Sequence, residues 1–180
     1  QCNPNATGLE CVAPSPIPCK CTNRMPRELT IVEIERIENA FADAARRAKN
    51  AGFDGVEIHG AHGYLLSEFL SPYANKRTDE YGGRFENRAR MPKEVIKKVR
   101  EKVGRDFIVG FRINVDEFLG EQALQPAEAC RFMEEVQNDI DYVNCSAGIY
   151  ETVPFCQVCS TYMPQAMLVP LAAEMKKHLQ

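Results

Sequence analysis

The chain is 180 residues long with a mass of 20.3 kDa, 44% hydrophobic and 26% charged; this is the size and composition of one globular domain and excludes a disordered, collagen-like or fibrous protein. Twenty-two Lys and Arg against 25 Asp and Glu leave a formal charge of −3, without the basic excess that nucleic acid binding requires. No run approaches the roughly 18 apolar residues of a membrane helix, the opening Gln1–Gly8 is polar and not signal-like, and eight cysteines fall short of the roughly 8–10% of a disulfide scaffold, so a cytoplasmic protein with thiols rather than bridges, bound to neither nucleic acid nor membrane, is expected.

Residues 1–29 carry Pro4, Pro14, Pro16, Pro18 and Pro26 with little apolar periodicity, which predicts a surface loop or arm without regular structure. A second unit covers 30–180. It opens at Thr30-Ile31-Val32-Glu33, a capping-box sequence. Ile34, Ile37, Phe41, Ala44, Ala45 and Ala48 then recur at steps of three and four as one apolar stripe, and Gly52 is placed to end the helix. A strand is predicted over 53–59, a second over 107–113 and a third over 140–145. Between them lie helices over about 85–103, where Pro92 must kink or restart the helix, and about 126–138, with Ala129, Phe132, Met133 and Val136 on one face. A last helix is predicted over about 169–179, with Pro170 in its first turn.

Strands separated by helices imply right-handed crossovers and a parallel sheet, hence the α/β class. A closed (β/α)8 barrel needs eight strands and typically about 250 residues. Three strands therefore mean an open sheet or a piece of a larger barrel.

In parallel α/β folds ligands lie beyond the carboxyl ends of the strands. Three such ends here carry chemistry: His59-Gly60-Ala61-His62-Gly63-Tyr64, then Arg112 with Asn114, then Ser146 to Tyr150. His59 and His62 alone would suit a metal pair, but no third ligand follows at a metal-site spacing. Tyr64 alone would suit a ring filling a turn. Arg112 in an otherwise apolar strand is harder to set aside, because a buried guanidinium needs an anion or an acceptor. Cys19-Lys20-Cys21 and Cys156-Gln157-Val158-Cys159 have the look of metal half-sites, yet incidental thiols are the favoured reading, and Cys145 reads as core.

The run AGFDGVEIHGAHGYLLSEFLSP over 51–72, continued by NKRTDEYGG over 75–83 and ENR over 86–88, resembles the old yellow enzyme family of flavin-dependent ene-reductases. Within it, the sequence is most similar to the NADH:flavin oxidoreductase branch of 2,4-dienoyl-CoA reductase and clostridial enoate reductases. The resemblance extends from VAPSPIP at 12–18 to PQAMLVP at 164–170.

That resemblance implies a (β/α)8 TIM barrel with FMN at the carboxyl face, in which the three strands would be the fourth, fifth and sixth. The 180 residues would then be a central fragment, and the Pro-rich opening the loop leaving a third strand. It implies NADH or NADPH as reductant and a small-molecule alkene as substrate: an enone, enoate or enoyl-CoA. It implies Tyr64 as proton donor, His59 and His62 as donors to the substrate carbonyl, Arg112 beside the flavin N1 and C2 oxygen, and Tyr150 at a second substrate-side position. FAD and a 4Fe–4S cluster, found in some members, would belong to a longer parent and outside these residues. Three alternatives stay open: a non-catalytic fragment lacking the FMN phosphate site, whose unpaired sheet edges invite oligomerisation; a flavin-linked dehydrogenase of the same fold acting on amines or steroid-type enones; and a cysteine-based metal module.

Overall fold

The computed structural model describes Gly8 and residues 10–20, 23–152 and 163–180. The Pro-rich arm is not wholly irregular: β1 (Val12–Ala13) and β2 (Arg27–Glu28) pair in parallel, Val12 opposite Arg27 and Ala13 opposite Glu28. Two residues are too few to show a period, so this pairing left no trace in the sequence pattern. Arg27 fastens the arm with a fork of hydrogen bonds to the Glu33 carboxylate at 2.8 and 3.0 Å.

Helix α1 (Ile31–Asn50) starts at the capping box. The Thr30 hydroxyl accepts from the Glu33 N–H at 3.3 Å, and the Glu33 carboxylate accepts from the Thr30 N–H at 2.9 Å. Strands β3 (Gly55–Gly60), β4 (Ile108–Asn114) and β5 (Tyr142–Ser146) form one parallel sheet in that order. The register sets Glu57 opposite Gly110 and Gly110 opposite Tyr142, then His59 opposite Arg112 and Arg112 opposite Asn144.

Because side chains alternate along a strand, Ile58, Val109, Phe111 and Ile113 bury themselves on one face, while Glu57, His59, Arg112 and Asn144 share the other. The buried face meets α1, α4 (Arg90–Val103) and α5 (Pro126–Val136) in a single core containing Phe69, Phe111 and Phe132. Each such large side chain contributes about 1.5–3 kcal/mol by leaving water.

The predicted helix over 85–103 is divided into α3 (Phe85–Arg88) and α4, with a break at Ala89. Pro92 sits in the first turn of α4, where its missing N–H forfeits no helical bond. A short helix unforeseen in the sequence, α2 (Leu65–Leu70), follows the site motif. Helix α5 ends earlier than expected, in a 3₁₀ turn over Gln137–Asp139, and α6 (Val169–His178) closes the described chain. No described helix is long and apolar enough to cross a membrane.

The long motif over 75–88 is structural. Buried Asn75 donates to the carbonyls of Phe69 and Tyr81 at 2.8 and 2.7 Å. The guanidinium of Arg77, also buried, donates to the carbonyls of Pro14 and Leu29 at 3.1 and 2.7 Å and grips Asp79. Arg88 donates through Nε to Leu70 O, and its Nη2 donates to both carboxylate oxygens of Glu128. Irregular backbone can be buried only if its carbonyls are satisfied, and these side chains do that.

Candidate active site

Strand β3 ends at Gly60, and the chain turns sharply before α2. His62 and Gly63 both take left-handed backbone, φ 62° and 69°. Glycine adopts this without cost, whereas for histidine it is uncommon and needs support. Asn114, fully buried at the end of β4, supplies it: its Oδ1 accepts from the His62 N–H at 3.1 Å.

The turn brings the predicted rings together. His59 and His62 have centroids 5.1 Å apart, and His59 and Tyr64 the same distance. Tyr150, in a 3₁₀ turn beyond β5 (Tyr150–Thr152), stands edge-on to Tyr64 with centroids 6.0 Å apart. Its hydroxyl donates to the Tyr64 hydroxyl at 3.2 Å. His62 Nε2 meets the Ser146 hydroxyl at 2.5 Å. Groups from three strand ends therefore make one cluster.

Burial, then the Arg112 charge, lowers the His59 pKa, with Glu57 opposing. Burial, then His59 and Arg112, lowers that of His62. Both rings are thus neutral at pH 7, each with one N–H to donate and one nitrogen to accept.

Arg112 stands beside His59 in register. Its Nε lies 2.8 Å from Glu57 Oε1, but the N–H is not aligned with that oxygen, so this buried nitrogen makes an ion pair and no hydrogen bond. A guanidinium held this way suits a carbonyl-rich or anionic group placed against the polar face of the sheet.

Of the sites expected from sequence, His59, His62, Tyr64 and Tyr150 share one cluster and Arg112 adjoins it. Asn114 and Ser146, at two of the strand ends marked in the sequence, hold His62 directly. Glu57 escaped attention, although strand alternation alone places it on the face of His59. Cys145 is partly buried against the core. Cys19 is half-buried, while Cys21, Cys156 and Cys159 lie outside the described residues. Among the described residues no three His, Cys, Asp or Glu side chains are grouped to hold a metal ion.

The sequence profile of the NADH:flavin oxidoreductase / NADH oxidase family matches residues 6–153. An NADH oxidase of Thermoanaerobacter brockii is 47% identical over 180 residues, covering 98% of this chain and 27% of that protein. Among solved structures, 2-naphthoyl-CoA reductase in complex with 2-naphthoyl-CoA superposes with a TM-score of 0.85 at 32% identity, over 93% of this chain and 26% of that one. The old yellow enzyme homologue of Zymomonas mobilis gives 0.74 at 28% identity, over 98% and 50%. The chain thus spans between about a quarter and a half of the length of these relatives. The three parallel strands and their helices are part of the α/β barrel of old yellow enzymes.

Proposed function

Because this chain belongs to the NADH:flavin oxidoreductase / NADH oxidase family, we propose that the protein carrying it reduces the activated C=C bond of an enone, enoate or enoyl-CoA. Family membership implies FMN with NAD(P)H, and bound FMN would take hydride from the nicotinamide and pass it to the β-carbon of the alkene.

The chain's own residues supply the rest. Negative charge accumulates on the substrate carbonyl oxygen as hydride arrives, and His59 and His62, neutral with one N–H each, can direct donors at it. Tyr64, whose ring packs against His59, can deliver its hydroxyl proton to the α-carbon. The hydrogen bond from Tyr150 occupies a lone pair of the Tyr64 oxygen and leaves the Tyr64 O–H free to point at substrate. Arg112 fits the flavin: its buried Nε lacks a hydrogen bond, and its charge would favour an anionic reduced ring.

The observation that carries this reading is the convergence of His59, His62 and Tyr64 within 5.1 Å centroid spacings. Likeness to a reductase solved with 2-naphthoyl-CoA supports a CoA thioester among the substrates. The test is product analysis. Protein loaded with FMN, given NAD(P)H and either 2-cyclohexen-1-one or crotonyl-CoA without oxygen, should form the saturated product. Consumption of NAD(P)H only in the presence of oxygen, with no saturated product, would contradict the proposal.

A further inference from the structure

We propose that Glu57 is a positioning residue whose carboxylate holds Arg112 and offsets part of its charge, so that the redox potential of the bound flavin is set by the Glu57–Arg112 pair and not by Arg112 alone. This rests on the flavin reading above.

All three strands contribute to holding the Glu57 carboxylate. From β4, Arg112 Nε lies 2.8 Å from Oε1. From β5, Asn144 Nδ2 and the Tyr142 hydroxyl both donate to Oε2, at 3.0 and 3.2 Å. Tyr142 reaches across the whole of β4 to do so. Its ring lies against Gly110, where a Cβ would stand 2.1 Å from the ring. Only glycine leaves room for that crossing, so the sheet is built to bring a phenol from one outer strand to a carboxylate on the other. Two neutral donors on one oxygen fix the plane of the carboxylate and leave its other oxygen facing the guanidinium.

The pair lies at the foot of the ring cluster, with Arg112 in register with His59. Arg112 lowers the His59 pKa and Glu57, by a smaller amount, raises it, as opposite charges near one ring do. Any group placed against Arg112 feels the same partial cancellation. A carboxylate so close to a guanidinium weakens the preference for an anionic reduced flavin, which keeps the ring oxidisable by an alkene of modest electron demand.

The test uses FMN-loaded protein and two readouts, the flavin midpoint potential and the NMR titration of the His59 ring. Glu57→Gln keeps the shape and an acceptor for Tyr142 and Asn144 while removing the charge. It should shift the two-electron reduction equilibrium about tenfold toward the reduced ring, a rise of about 30 mV, and lower the His59 pKa further. Tyr142→Phe, which keeps the charge, should move the potential far less. An unchanged or lowered potential in Glu57→Gln overturns the proposal. If His59 responds while the protein takes up no FMN, the flavin reading itself fails and the proposal with it. If FMN binds and neither readout moves, the fault lies in the Glu57–Arg112 pair alone.

Discussion

The side chain of Asn114 reaches from the end of β4 to the backbone of His62, accepting its N–H at 3.1 Å. The same amide donates to the Gly148 carbonyl at 3.0 Å and to the Ser67 hydroxyl at 3.3 Å. One fully buried side chain thus joins the loop after β3, the first turns of α2 and the loop after β5. These segments carry His62, Tyr64 and Tyr150.

Replacing Asn114 with Leu should therefore cost stability and geometry together. The Gly148 carbonyl and the Ser67 hydroxyl, both buried, and the half-buried His62 N–H lose this partner, at about 1–3 kcal/mol for each buried group, and His62 loses support for its left-handed backbone. Denaturant titration should show the destabilisation, and kcat/KM for the alkene should fall by at least tenfold. A variant as stable and as active as the parent would show that the amide holds nothing.

Arg77 tests the opposite expectation, that a long motif is structural. Its planar fork serves two carbonyls and Asp79 at once, and an ammonium cannot match that geometry. Arg77→Lys should lower the melting temperature, in keeping with a loss of about 1–3 kcal/mol, and leave kcat for folded protein within about twofold. A large fall in kcat with unchanged stability would place Arg77 in the chemistry instead.

Glu117 makes stability depend on pH. It is fully buried, and burial pushes its carboxyl up to about 7 against the hydrogen bonds from Ser71 and the Leu124 N–H. An acid raised in the folded state binds its proton more tightly there than in the unfolded chain. Its contribution is therefore present in full below the unfolded value of roughly 4.3 and is lost as pH rises through about 7. Glu117→Gln should flatten the stability profile between these limits and gain relative stability at pH 8. Parallel profiles for the two proteins between pH 5 and 8 would contradict this.

The extent to which the sequence revealed the fold follows from length and periodicity. Helix α1 declared itself through its capping box and apolar stripe, and the three strands through short apolar runs between helices. Pro92 marked the restart of α4 for a steric reason. The pairing of Val12–Ala13 with Arg27–Glu28 and the six residues of Leu65–Leu70 were too short to carry a period. At the site, residue types at strand ends pointed to His59, His62, Tyr64, Arg112 and Tyr150. The parts played by Asn114 and Glu57 depend on which residue of one strand faces which of the next, and a single strand's pattern does not contain that register.

The most direct test of the central claim isolates the alkene step. FMN-loaded protein, reduced anaerobically and mixed with 2-cyclohexen-1-one in a stopped-flow instrument, should reoxidise its flavin as cyclohexanone forms. In Tyr64→Phe that reoxidation should be slower by about 10²–10⁴-fold, the usual worth of a positioned general acid, while reduction of the flavin by NAD(P)H changes far less. Equal effects on the two half-reactions, or no effect on either, would contradict the assignment of Tyr64 as proton donor and the site built around it.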